Sequence, residues 1–205
     1  MIFMGIDICC PKCRGELGHH QVENDTLECR TCHQQYPILL GIPDLRTFPD
    51  PYIGIEEDRA KGLRLAEHLQ TLTFSELLEL YYASTSAVPP NHARQYTRGL
   101  MAAEARARQV LDGWERGIQP ESPVETIRTL EIGCGTAPML VSAAPRFSLI
   151  VGIDLAFRWL VVAKKRLIEA GLDIPLLCAC AEALPFPDGS FQRVVSESSL
   201  EHMKD

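Results

Sequence analysis

Four of the eight cysteines stand in two tight pairs, Cys10-Pro-Lys-Cys13 and Cys29-Arg-Thr-Cys32, with fifteen residues between them. Two residues between thiols let one turn aim both sulfurs at a single ion. Two such turns brought together by a hairpin make a closed, tetrahedral four-thiolate zinc site. The intervening segment, RGELGHHQVENDTLE, suits that hairpin, because Gly15, Gly18 and Asn24-Asp25 punctuate short polar strands. So small a unit has little core, and metal binding would supply much of its folding free energy. Cys10, Cys13, Cys29 and Cys32 are the expected ligands of a structural Zn2+, with no open position for catalysis. Cys9 is a neighbour that could replace Cys10 in a shifted site, and Cys29 with His33 forms an alternative ligand pair.

A second feature lies in the C-terminal half. Arg128-Thr-Leu-Glu-Ile-Gly-Cys-Gly-Thr-Ala137 reads as a short buried strand, a glycine turn, then a helix opening near Pro138. Glycines there let the backbone approach a ligand closely. Farther on, Leu149-Ile-Val-Gly-Ile-Asp154 is a second strand ending in a carboxylate, where a doubly wound fold holds ribose hydroxyls. A dinucleotide or S-adenosylmethionine fits this pattern. Pro138 stands where the dinucleotide fingerprint wants glycine, and Glu131 would repel a pyrophosphate but favour an ammonium group. The residues therefore favour S-adenosylmethionine.

Between these features, turn signals at Pro49-Asp50-Pro51 and Pro89-Pro90 bound a helical connector. Leu65, Leu69, Leu72, Leu77, Leu80 and Tyr81 fall near helical spacing, and Thr73 or Ser75 with Glu76 or Glu79 caps a second helix. The connector packs between the flanking units or forms a lid over a substrate pocket. A further helix is expected from His92 to Gly117, with Tyr96, Leu100, Ala103, Ala107, Val110 and Leu111 on one face. Hydrophobic content of 46% with 23% charged residues describes a chain with a sizeable core. No uninterrupted apolar run approaches the ~18 residues of a membrane span, and the N-terminus is unlike a secretion signal. A cytoplasmic location is expected. A net charge of −7 argues against a sequence-independent grip on nucleic acid.

Two resemblances sharpen this reading. The knuckles together with YPILLGIPDLR (residues 36–46) resemble the small zinc-ribbon proteins that act as activating subunits of methyltransferases. LEIGCGTA, VGIDLA, AEALPFPDGSFQRVVS and SLEHMKD resemble, in order, the motifs of class I S-adenosylmethionine-dependent methyltransferases of the small-molecule and quinone-type subgroup. That likeness implies that Glu131, Gly133, Cys134 and Gly135 hold the methionine end of the cofactor. It implies further that Asp154 takes the ribose hydroxyls, Leu155 flanks the adenine, and Ala181 and Glu182 lie along the adenine edge. His202, near the methyl group, is the candidate general base. Three positions depart from the pattern: Cys180 stands where an Asp usually meets the adenine amino group, Gln192 where Asp is common, and Ala137 at the third glycine-loop position. Leaving the amino group unpaired would cost ~1–3 kcal/mol of affinity.

The expected architecture is α/β, a Rossmann-like doubly wound sheet behind a β-rich zinc ribbon and a helical connector. The divisions fall at 1–47, 48–90 and 91–205. Four strands count near 128–132, 149–153, 174–179 and 192–197, against about seven in a complete sheet of this kind. The chain is accordingly expected to be the N-terminal part of a larger domain. The expected reaction is methyl transfer to a small-molecule or carrier-linked acceptor, with a possible protein partner at the ribbon. A non-catalytic binding module is one alternative. The other is RNA methylation, since some ribosomal-RNA guanine methyltransferases also place a zinc ribbon before this fold. In the ribbon, however, Lys12, Arg14 and Arg30 face Glu16, Glu23, Asp25 and Glu28.

Overall fold

The computed structural model describes residues 1–21, 25–85, 88–117 and 127–199. Two short strands, β1 (Ile2–Phe3) and β2 (Ile6–Asp7), pair as a small hairpin ahead of the first knuckle. An antiparallel sheet then follows in the order β3 (Leu17–Gln21), β4 (Asp25–Cys29), β5 (Gln35–Leu39) and β6 (Ile42–Pro43). Leu40 and Gly41, both left-handed at φ 56° and 76°, make the two-residue turn between β5 and β6, the geometry that matches strand twist in a tight hairpin.

The connector holds two helices, α1 (Ile55–Ala66) and α2 (Phe74–Ala83). Of the candidate caps, Thr73 and Glu76 close a reciprocal capping box on α2. Leu65, Leu69, Leu77 and Tyr81 are buried as their spacing required. The single helix expected over His92–Gly117 is instead two, α3 (Pro90–Met101) and α4 (Ala103–Gly117). They meet at Ala102, whose N–H turns back to the Arg98 and Leu100 carbonyls. The break lets α4 bury Ala103, Ala107 and Leu111, while α3 lies outside with no buried residue and Tyr96 49% exposed.

The second sheet is parallel, in the order β10 (Arg193–Val195), β7 (Arg128–Ile132), β8 (Leu149–Asp154), β9 (Leu176–Cys178). Helix α5 (Pro138–Ala143) joins β7 to β8, and α6 (Phe157–Glu169) joins β8 to β9. The chain steps outward from β7 to β9, then returns to the other side of β7 as β10. The strand order thus reverses between β7 and β10, the switch point at which ligands bind such sheets, beyond the strands' carboxyl ends. This is the Rossmann-like half-sheet expected from the sequence.

Alternation along the strands assigns the two faces of this sheet. On one face Ile150, Leu176 and Cys178 join the helices through Leu77, Leu111, Leu140, Phe157 and Leu160. On the other, Leu130, Val151, Ile153 and Leu177 share a core with Ile6, Ile8, Leu17, Leu27, Tyr36 and Leu45. The ribbon therefore covers this chain's own sheet, and its core is not the isolated one its length suggested. Burial of each of those large side chains contributes about 1.5–3 kcal/mol. The contact continues at the sheet edge, where Leu45 N–H donates to Cys178 O at 2.7 Å beside a parallel bridge from Asp44. Arg14, in the first knuckle, clamps the loop before β10, donating to the Leu184 carbonyl at 2.8 Å, the Phe186 carbonyl at 2.6 Å and Asp188 at 2.9 Å.

Candidate functional site

The four knuckle sulfurs converge. Cys10, Cys13, Cys29 and Cys32 Sγ atoms all lie within 4.8 Å of one another. Cys10–Cys32 measures 3.7 Å and Cys13–Cys29 3.4 Å. A tetrahedral zinc with ~2.3 Å bonds to sulfur sets its ligands ~3.8 Å apart, so the donors fit that ion. The Tyr36 hydroxyl lies 3.2 Å from Cys10 Sγ and supports it from behind. Against the cost of burial, N–H groups of Cys32 and Thr31 bring the Cys29 thiol down to about 6. The alternative ligands stand aside. Cys9 lies outside the converging sulfurs, and His33 Nδ1 lies 3.2 Å from Glu28.

At the carboxyl end of the parallel sheet, Gly133 and Cys134 N–H groups both bond the Ile153 carbonyl at 2.9 Å, folding the turn across β8. Asp154 holds that geometry: Oδ2 accepts from Gly135 N–H and Oδ1 from Ala156 N–H, each at 2.8 Å. A carboxylate oxygen has two acceptor sites, so both oxygens retain capacity for ligand hydroxyls. Burial raises the Asp154 carboxyl, partly offset by those two donors. Ala137 takes φ 62°, ψ 32°; the left-handed region costs a non-glycine residue about 1–2 kcal/mol. That departure from the glycine pattern is therefore a strained one.

A cavity of about 490 Å³ opens here, lined by Gly133, Gly135, Asp154, Leu155, Ala181 and Glu182 among the residues expected from sequence. Two of the expected set do not line it. Cys134 contributes backbone only, since its buried thiol packs beside Gly152, where a Cβ would come within 2.9 Å of the sulfur. Glu131 is buried just behind the turn, and its Oε2 has no hydrogen-bond partner among the described residues. Burial first, then Glu197 and Asp154, push the Glu131 carboxyl well above the usual range. An unpaired buried carboxyl costs stability unless a ligand compensates it, and a cationic ammonium or sulfonium does so. The residues present thus fit S-adenosylmethionine. His202 lies outside the described residues.

The opposite cavity wall was not legible in the motifs. Phe48, Asp50, Pro51 and Tyr52, from the segment leaving the ribbon, face Trp159 and Arg158 at the start of α6. A buried ion network fixes this wall. Arg46 bonds Asp44 (Nε–Oδ1 2.8 Å), Asp58 (2.7 Å) and the Leu155 carbonyl (3.1 Å). Asp58 also accepts from Phe157 N–H at 2.8 Å, capping α6 from a neighbouring helix, and from Arg158 at 2.6 Å. Arg158 in turn holds Asp50 at 3.2 Å. The same segment explains a departure from the family pattern. Cys180 is buried with its sulfur directed to Thr47 N–H, 3.4 Å, and the Phe48 carbonyl, 3.8 Å. Gln192, another departure, accepts at Oε1 from Arg128 N–H at 2.9 Å, just ahead of the β10–β7 pairing.

Both halves of the chain resemble known proteins. Residues 130–205 match a family model described as a methyltransferase domain, and residues 8–39 one described as Trm112p-like protein. The ubiquinone biosynthesis O-methyltransferase of Chromobacterium violaceum is 35% identical over 79 residues, 38% of this chain and 34% of that protein. Its counterpart in Methylocella silvestris is 30% identical over 110 residues, 54% and 41% respectively. The chain thus spans little more than a third of the length of such relatives. Among solved structures, YcgJ from Bacillus subtilis aligns with TM-score 0.42 and 22% identity over 49% of this chain and 41% of that one. Phosphoethanolamine N-methyltransferase 2 of Haemonchus contortus with S-adenosyl-L-methionine aligns with TM-score 0.40 and 30% identity over 47% and 22%. Among the described residues no helix is long and apolar enough to cross a membrane.

Proposed function

We propose that this chain, which joins class I S-adenosylmethionine-dependent methyltransferase sequence to an N-terminal zinc ribbon, transfers the cofactor's methyl group to a small-molecule acceptor. The observation that carries the reading is the cavity between β7 and β8, with Asp154 locked by two backbone donors beside the unpartnered Glu131. Gly133 and Gly135 in its lining, with Glu131 and Cys134 just behind it, would hold the methionine end, Asp154 the ribose, and Leu155, Ala181 and Glu182 the adenine side. The bound cofactor supplies an already activated methyl group, so alignment provides much of the rate. The chain's own task is to orient and to exclude water, with Phe48, Tyr52 and Trp159 forming the outer wall. His202 remains the proposed base for an acceptor that must lose a proton. The names of the relatives favour an oxygen acceptor.

The ribbon, proposed to carry one structural Zn2+ on its four cysteines, serves this chain's sheet directly, and the divisions at 47 and 90 mark where it ends and where the cover helices begin. Arg14 and Arg30, two of the three basic residues weighed in the ribbon, are paired with Asp188 and Glu16. Calorimetric titration of S-adenosylmethionine and S-adenosylhomocysteine into the zinc-loaded chain tests the cofactor site. Micromolar binding lost in Asp154→Ala supports it, whereas no binding by a folded chain refutes it. Mass-spectrometric screening of phenols, enols and amines for a mass gain of one methylene unit then tests the acceptor class.

A further inference from the structure

Strand register places three carboxylates at the carboxyl ends of adjacent strands, near enough for Glu197 and Asp154 to act electrostatically on Glu131. Strand pairing sets Val195 beside Glu131 and Ile153 beside Ile132. Glu197, two residues past β10, and Asp154, at the end of β8, therefore flank the end of β7. The segment carrying Glu197 is held over the glycine turn: Ser199 Oγ donates to the Ile132 carbonyl at 3.1 Å, and a Cβ on Gly133 would meet the Ser199 side chain at 2.4 Å. Ser198 adopts φ 53° to make this fold-back. At the centre lies the buried Glu131 Oε2 without a partner. Among the described residues, the titratable groups that face Glu131 are Glu197 from the β10 side, Asp154 from β8 and the Cys134 thiol from the turn, none of them a cation.

Resting on the cofactor reading above, we propose that Glu197 is a specificity-determining residue. With Glu131 it seats the cationic end of the cofactor, favouring the sulfonium form over the neutral thioether product. The pair also couples binding to release of one proton from Glu131 to solvent. In the ligand-free chain burial, then Glu197 and Asp154, disfavour a further negative charge and push the Glu131 carboxyl well above its ordinary value, so it holds its proton to higher pH than an ordinary carboxyl does. A ligand cation reverses that balance and the proton leaves. After methyl transfer the sulfur is neutral, its attraction to Glu197 falls, and product release is favoured.

The test is calorimetric titration of S-adenosylhomocysteine and S-adenosylmethionine between pH 6 and 8, in buffers of different ionisation enthalpy. Wild type is expected to release protons on binding, approaching one per ligand where the pH lies below the ligand-free Glu131 value, with affinity weakening toward tenfold per unit as pH falls through that range. Glu197→Gln should move that dependence to lower pH and shrink the preference for S-adenosylmethionine several-fold, while still binding S-adenosylhomocysteine at pH 8. Glu197→Asp should restore both. Buffer-independent, pH-flat binding by wild type overturns the inference alone, as does a Glu197→Gln profile that superimposes on wild type. Absence of binding at every pH by a folded chain overturns it together with the cofactor reading.

Discussion

Asp58→Ala is the substitution whose consequence the structure sets most sharply. The Asp58 side chain is fully buried and accepts from Arg46 at 2.7 Å, Arg158 at 2.6 Å and Phe157 N–H at 2.8 Å. Truncation leaves two guanidinium groups short of a carboxylate in the interior; breaking such a buried pair costs about 3–5 kcal/mol. It also uncaps α6, worth about 0.5–2 kcal/mol. The same two oxygens serve both roles, so the terms overlap and the expected loss is about 4 kcal/mol. For a chain of this length, 1 kcal/mol corresponds to about 2–4 °C, which gives a Tm roughly 8–16 °C lower. Urea unfolding followed by circular dichroism measures this against Asp188→Ala. That second substitution removes only the exposed partner of Arg14 and should cost less than about 1 kcal/mol. Replacing Arg46 and Asp58 together by Met and Leu should recover only part of that loss, since Arg158 still loses Asp58 and keeps Asp50 alone, and Asp44 loses Arg46 and keeps Arg59. If Asp58→Ala falls within about 1 kcal/mol of wild type, the network is not the strut described here.

Chelation of the zinc-loaded chain, or Cys29→Ser, should lower the Tm of the parallel sheet as well as the ribbon, because Leu130, Val151 and Leu177 share the ribbon's core; near-ultraviolet dichroism and one zinc per chain by elemental analysis check this. Glu131→Gln should stabilise the ligand-free chain by about 1–3 kcal/mol at pH 8, by removing a buried unpaired carboxyl, yet weaken cofactor binding. The folded chain holds the Glu131 proton to higher pH than the unfolded chain, whose glutamate sheds it near the ordinary value of about 4.3. Wild-type stability should therefore fall as pH rises from 5 toward 8, with a flatter profile in the variant. Asp44 acts in the opposite sense at lower pH. Although burial opposes it, Arg46 and Arg59 hold its carboxyl below the ordinary value, so its stabilisation is lost only as pH falls through that depressed value. Thr73→Ala should cost about 1 kcal/mol by opening the α2 capping box, measured by thermal denaturation.

What the sequence displayed and what it hid divide along physical lines. Motifs that act through local backbone geometry were legible: two residues between thiols dictate converging sulfurs, and the glycine turn with Asp154 at the end of the next strand dictates the cavity floor. Capping chemistry at Thr73 was legible for the same reason. The outer wall was not, because Phe48, Asp50 and Tyr52 lie more than a hundred residues from Arg158 and Trp159, and only the tertiary path brings them together. Nor does spacing show that α3 breaks from α4 at Ala102, since the apolar positions continue in phase while Tyr96 is left outside. One signal was present and could have been read: Asp44, Arg46, Asp50, Asp58 and Arg59 crowd opposite charges into a short stretch beside apolar residues, a density that surface solvation does not require.

That charge cluster also explains why the ribbon and the cofactor cavity respond to each other. Asp44 and Leu45 extend the parallel sheet beyond β9, Arg46 holds the Leu155 carbonyl next to Asp154, and Thr47 and Phe48 occupy the Cys180 thiol. Five consecutive residues thus run from the ribbon's last turn along the cavity rim. The strip donates to the Leu155 carbonyl, which Cys178 Sγ also reaches at 3.5 Å, and partners the Cys180 thiol, so removing it would expose the sheet edge and weaken the cavity wall at once. A Thr47→Pro substitution addresses this directly. It deletes the N–H that reaches Cys180 and constrains the backbone before Phe48 while leaving the four cysteines, Asp154 and Glu131 untouched. S-Adenosylhomocysteine affinity should fall several-fold with zinc content unchanged. Equal affinity in a folded variant would show that the strip is a tether and not part of the wall.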